Sequence, residues 1–152
     1  MRWRYGETNP VMMPVDAAIP IEIGDLVYLE TDDVRPAAAL EAEETLAATQ
    51  ESFHDKFVGV AMQCSPVGVS GPIRVATTGV FEFDCAAATF EVGDLLGGND
   101  AGGSELDNQL VDEVATPNLA VGRCVKRVSP EGTKVLVDVV STLVKGGPQA
   151  AA

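Results

Sequence analysis

The residues able to do chemistry are few. His54 is the only histidine, and its neighbours Ser52 and Asp55 stand too close along the chain to complete a Ser-His-Asp triad without an unusual turn. No serine lies in a G-x-S-x-G setting. The context predicts an exposed loop histidine whose replacement by alanine is silent. Cys64, Cys85 and Cys124 form neither a CxxC pair nor an even disulfide framework. Each lies in or beside an apolar run, and each reads as a small buried thiol. Asn99, Asp100, Glu105, Asp107 and Asn108 offer oxygens to a cation, but not at the alternating spacing of a calcium-binding loop. Gly97, Gly98, Gly102 and Gly103 are bracketed by acids that repel phosphate, and no Walker loop accompanies them. These patterns predict no catalytic residue, no metal site and no cofactor. Binding and structural roles gain weight accordingly.

The body that would carry such a role is β-rich. The chain has 152 residues, 46% hydrophobic but only 5% aromatic, with 15 Gly and 9 Pro. Its core must therefore be Val, Leu, Ile and Ala, with frequent turns. Ten Lys and Arg against 23 Asp and Glu give a formal charge of -13, which repels nucleic-acid backbones and anionic membranes alike. Neither is expected as a partner. The charge-free run from Phe57 to Ile73 is broken by Pro66, Gly68, Gly71 and Pro72, so it reads as strand and turn rather than a membrane span. No apolar leader of the usual kind follows Met1, and synthesis in a cytoplasm is expected.

The chain repeats itself. Ile21 to Leu26 reads IEIGDL and Phe90 to Leu95 reads FEVGDL; Phe57 to Ala61 (FVGVA) matches Ala120 to Cys124 (AVGRC); Gly71 to Val75 (GPIRV) matches Gly132 to Leu136 (GTKVL). Three landmarks in one order predict two related halves, 21–84 and 90–144, within a β domain of residues 21–144. In the two Gly-Asp pairs, Gly permits a bend and Asp can bond the turn backbone. Phe81 and Phe83 alternate with Glu82 and Asp84, and Val135, Val137 and Val139 alternate with Leu136, Asp138 and Val140, both strand patterns. Gly79 marks a bulge or bend.

Three segments depart from this body. Ala37 to Ser52 is dense in Ala, Glu and Leu and reads as a short surface helix or a mobile insertion. Its counterpart, Gly97 to Asn108, reads as flexible, acidic surface. Residues 1–20 form an extended arm, in which alternation places Trp3 and Tyr5 on one face and Arg2 and Arg4 on the other. They suit a partner's surface; the alternative is that the aromatics fold back on their own domain. Residues 145–152 read as a flexible tail.

Taken in order, Ile23 to Val27, Phe57 to Ala61, Val75 to Phe81, Phe90 to Asp94 and Val121 to Val125 resemble the small capsid decoration, or cement, proteins of tailed bacteriophages. The resemblance implies a compact β-barrel or β-sandwich that binds the outside of an icosahedral head, contacts the major capsid protein and clamps neighbouring capsomers. It also implies a homo-oligomer, often a trimer, and no enzyme activity. The insertion at Ala37–Ser52 and the start at Arg2–Tyr5 depart from the pattern. Arg2, Trp3, Arg4 and Tyr5 are expected in the capsid or subunit contact, so deleting residues 1–10 should leave a folded protein of reduced occupancy. A second class of reading is a small acidic β module for a sugar or calcium-dependent ligand, with Asp100, Glu105 and Asp107 in its site.

Overall fold

The computed structural model describes residues 2–100 and 102–147. The fold is mainly β, and its strands form two sheets. The first contains β2 (Val11–Met13), β3 (Leu26–Glu30), β4 (Asp33–Pro36), β5 (Phe57–Ala61) and β6 (Ile73–Ala76), in the order β2-β6-β5-β3-β4. The second contains β1 (Arg2–Tyr5), β7 (Thr78–Phe90), β8 (Leu95–Asp100), β9 (Leu106–Glu113), β10 (Gly122–Cys124) and β11 (Val128–Val140), in the order β1-β7-β11-β10-β8-β9. A parallel pairing of β7 with β9 at Asp84 and Leu110 closes five of these strands into a barrel. The first sheet is drawn round in the same sense by a parallel bridge between Val15 and Val34, where the Val34 amide donates to the Pro14 carbonyl at 2.9 Å.

The shared strand order has a local cause in the repeated sequence. In the first Gly-Asp turn, the Glu22 amide donates to the Asp25 carboxylate and the Gly24 amide to the Ala61 carbonyl, while the Ala61 amide donates to the Asp25 carbonyl. The second turn makes the same set through Glu91, Asp94, Gly93 and Cys124. Gly24 and Gly93 have φ of 99° and 96°, a region costly for a residue with a Cβ. Gly59 and Gly122 occupy matching ladder positions, opposite Val27 and Leu96. A Cβ at either would collide with a backbone carbonyl, Ala76 in one sheet and Asp138 in the other. The third landmark is corrected by one residue. Ala61 pairs with Val75 and Cys124 with Val137, so Val75 matches Val137 rather than Leu136.

Thr78–Asp84, read from the sequence as the end of the first half, is paired strand of the second sheet, so the sheets divide at Thr77. That residue is buried; its amide donates to the Thr8 carbonyl and its hydroxyl to the Asn9 carbonyl. The phenylalanines and valines of β7 and β11 point inward as their alternation requires: Phe81, Phe83, Val135, Val137 and Val139 are buried. One core cluster joins Leu26, Tyr28 and Phe57 of the first sheet to these residues, and a smaller one fills the first sheet around Val27, Val34, Val58 and Val75.

The Ala/Glu-rich insertion is ordered differently from its expected span. Ala37–Ala39 make a single 3-10 turn, and the helix α1 begins only at Leu46, running to Lys56. Thr45 fixes that start, its hydroxyl accepting from the Ala48 amide at 3.2 Å. The helix is no surface appendage. Phe53 is buried against Tyr28 and Phe57 at ring-centroid distances of 6.0 and 5.5 Å, and the Gln50 side chain donates to the Gly98 carbonyl at 2.7 Å. Gly97 and Gly98, expected in flexible surface, are buried residues of β8; a Cβ at Gly97 would meet the Leu119 carbonyl. Of the expected tail, Lys145 ends the short helix α2 (Thr142–Lys145), and residues 148–152 lie outside the described residues. No helix among the described residues is long and apolar enough to cross a membrane.

Candidate functional site

The chemistry-bearing residues are dispersed. His54 is on α1 and only 1% exposed, against the expected exposed loop, because the helix turns it inward with Phe53. Its Nδ1 lies 3.0 Å from an Asp55 carboxylate oxygen, while the Ser52 hydroxyl donates to Glu43 instead. Asp100 accepts the Gly102 and Gly103 amides after β8, and Asp107, within β9, accepts the Gln109 amide, so both carboxylates are engaged by local backbone. Among the described residues no group of three acids, histidines or cysteines could hold a metal ion. Cys85 and Cys124 are buried as expected, and burial pushes both thiols above their ordinary range. Cys64 is exposed, contrary to expectation, in the turn after β5.

The N-terminal segment does not extend away from the body. β1 pairs antiparallel with β7 (Arg2 opposite Glu82, Trp3 opposite Phe81, Tyr5 opposite Val80), and β2 pairs with β6. The side chain of Arg2 lies outside the described residues. The register slips between Trp3 and Tyr5, which overturns the simple alternation. Trp3 lines a shallow groove with Thr8, Pro10 and Met62, whereas Arg4 and Tyr5 together line another. Trp3 and Tyr5 are 50% and 52% exposed. The Trp3 indole donates to the Gly6 carbonyl at 3.3 Å, and Arg4 pairs with Glu82 at 2.6 Å.

The groove holding Arg4 and Tyr5 has a volume of about 630 Å³ and crosses the outer face of the second barrel. Lys126, Arg127 and Lys134 also line it, over an apolar floor that includes Val128, Pro130 and Leu136. Four of the ten basic residues of a chain of net charge -13 thus share one depression. Sequence reasoning missed it. The signal available was the run Arg123, Lys126, Arg127, a local reversal of charge in an acidic chain. Lys134 also bonds Asp84 across the β7–β11 ladder at 2.6 Å, which holds that carboxyl below its ordinary range.

No curated protein matches the chain. Among solved structures it is similar to the N base of the head fiber gp8.5 of bacteriophage phi29, with 16% identity over 87% of this chain and 95% of that one, at a TM-score of 0.48. The family model for phage cement proteins matches residues 30–139, from the end of β3 almost to the end of β11, and so takes in strands of both sheets and the second Gly-Asp turn; the chain belongs to the phage cement protein family.

Proposed function

We propose that this protein binds the outer surface of an icosahedral phage head, contacts the major capsid protein and holds neighbouring capsomers together as a homo-oligomer, most simply a trimer. The observation that carries the reading is the cement-family match over residues 30–139. The physics of such a clamp is added buried area across a joint that fails by subunit separation, each apolar Å² contributing about 25 cal/mol before ordering costs. Arg2, Trp3, Arg4 and Tyr5 are the proposed contact. Half-exposed aromatics are efficient anchors, and β1 ends its sheet, leaving its outer edge available for strand addition. Made in the host cytoplasm, the protein would end on the virion surface.

Deleting residues 1–10 would not isolate this contact, since it removes the carbonyls of Thr8 and Asn9 that satisfy buried Thr77. Substitution is cleaner. Expanded heads lacking the protein are mixed with purified full chain and sedimented, and occupancy and the temperature of DNA release are recorded. The wild type should co-sediment at saturable stoichiometry and raise the release temperature; heads that stay bare contradict the reading. Trp3→Ala with Tyr5→Ala should lower occupancy while leaving the melting temperature nearly unchanged, and undiminished occupancy removes these residues from the contact.

A further inference from the structure

The basic groove on the second barrel stands out because the rest of the chain argues against it. With 23 acids to ten bases, a random depression on this surface should be acidic. This one is lined by Arg4, Lys126, Arg127 and Lys134, with Glu82 as the single acid in its wall. Glu82 is bonded to Arg4, so it orients that guanidinium. Arg127 is paired with Glu91 at 3.0 Å and Lys134 with Asp84 at 2.6 Å, all four side chains well exposed, and Lys126 makes no ion pair among the described residues. Exposed pairs of this kind contribute little and exchange readily for an incoming carboxylate. Between the charges lie Tyr5, Val128, Pro130 and Leu136.

A charged rim over an apolar floor selects for a ligand with both properties. The lining runs from β1 across β7 to β11 and the 126–127 segment before it, so a ligand that touches all of it must reach across three strands, as a peptide segment can and a compact solute cannot. Nucleic acid fits poorly, because the protein's overall field repels a continuous phosphate backbone, whereas a short segment presents only a few charges to the locally positive strip. We infer that this groove is a docking site for an extended, carboxylate-rich peptide segment of a partner protein, with an aliphatic or aromatic residue seated between Tyr5 and Leu136. The inference deepens the cement reading by naming the chemistry the groove recognises on its partner.

The test separates this inference from the reading it rests on. A synthetic octapeptide rich in Asp and Glu with a central Leu is titrated into the full-length 15N-labelled chain at low and moderate salt. Saturable shifts confined to Arg4, Tyr5, residues 126–130 and 134–136 are expected, with affinity falling about tenfold in Lys126→Glu/Arg127→Glu. Absent shifts, shifts elsewhere, or equal binding of an oligothymidylate of matched length overturn the docking site, whether or not heads bind. On heads, the same double variant should lose occupancy in parallel. Undiminished head binding by a variant that no longer binds the peptide would overturn the groove's role on the shell while leaving the cement reading standing. Failure of the wild type to bind heads, with the peptide still bound, would overturn the cement reading alone.

Discussion

The two barrels carry one ladder with opposite faces. In the first, Val60 opposes Ala76 across β5 and β6; at the matching place in the second, Arg123 opposes Asp138 across β10 and β11. Val60 and Ala76 are fully buried, while Arg123 and Asp138 are exposed. All five residues of β5 are buried, since α1 and the second sheet cover what the barrel interior does not. The second barrel has no such cover over its basic groove. Backbone geometry is thus held constant by the Gly-Asp turn and the ladder glycine, while the outward side chains are free to diverge. The outward side chains of the first ladder are buried, and those of the second are charged and exposed.

The largest effects should break what the copies share. Gly59→Ala and Gly122→Ala both drive a Cβ into a neighbouring carbonyl and should each cost about 3 kcal/mol or more, or prevent folding. Urea melts check this, and tolerance at one site alone would dissolve the equivalence. The turn aspartates sharpen the comparison. Asp25 is 2% exposed and also accepts from the Gln109 side chain at 2.9 Å, whereas Asp94 is partly exposed. Asp25→Ala should therefore cost about 2–3 kcal/mol and Asp94→Ala about 1 kcal/mol; equal losses would show that burial does not distinguish the two turns.

A smaller effect belongs to α1, whose place in the second half, between β9 and β10, is taken by the 3-10 turn Pro117–Leu119 and not by the expected Gly97–Asn108, which lies in β8, β9 and the segment joining them. His54→Ala, silent by the sequence reading, should lower stability by about 1–2 kcal/mol, because the side chain is buried beside Phe53. An unchanged melt would mean that the helix contributes only through Phe53 and Gln50. The smallest effect is electrostatic. Asp84, lowered by its bond to Lys134, contributes stability that is present above the ordinary carboxylate pKa of about 4 and lost as pH falls through the lowered folded value. Both side chains are more than half exposed, so Asp84→Asn should flatten the acid limb of a pH-stability curve only slightly, and less in salt.

What was legible in the sequence was local. The Gly-Asp turns, the ladder glycines and the Phe81/Phe83 and Val135/Val137/Val139 alternations encode their own geometry in a few adjacent residues. The rest depended on distant partners. Gly97 and Gly98 looked flexible because nothing nearby shows that the 117–119 turn and the Gln50 side chain will pack on them. The buried face of α1 includes Thr49, Gln50 and His54, polar types that no apolar stripe reveals. The groove needed β1, β7 and β11 brought side by side before Arg4 could join Lys126, Arg127 and Lys134. Only the 123–127 run gave warning.

The central claim is tested most directly by cryo-electron microscopy of the source virion, or of expanded heads mixed with the protein. The account predicts density matching the two-barrel body at symmetry-related sites on the outer shell, with β1 and the adjoining groove turned towards the capsomers or a neighbouring copy. A bare shell, in the presence of folded protein at saturating concentration, would contradict it.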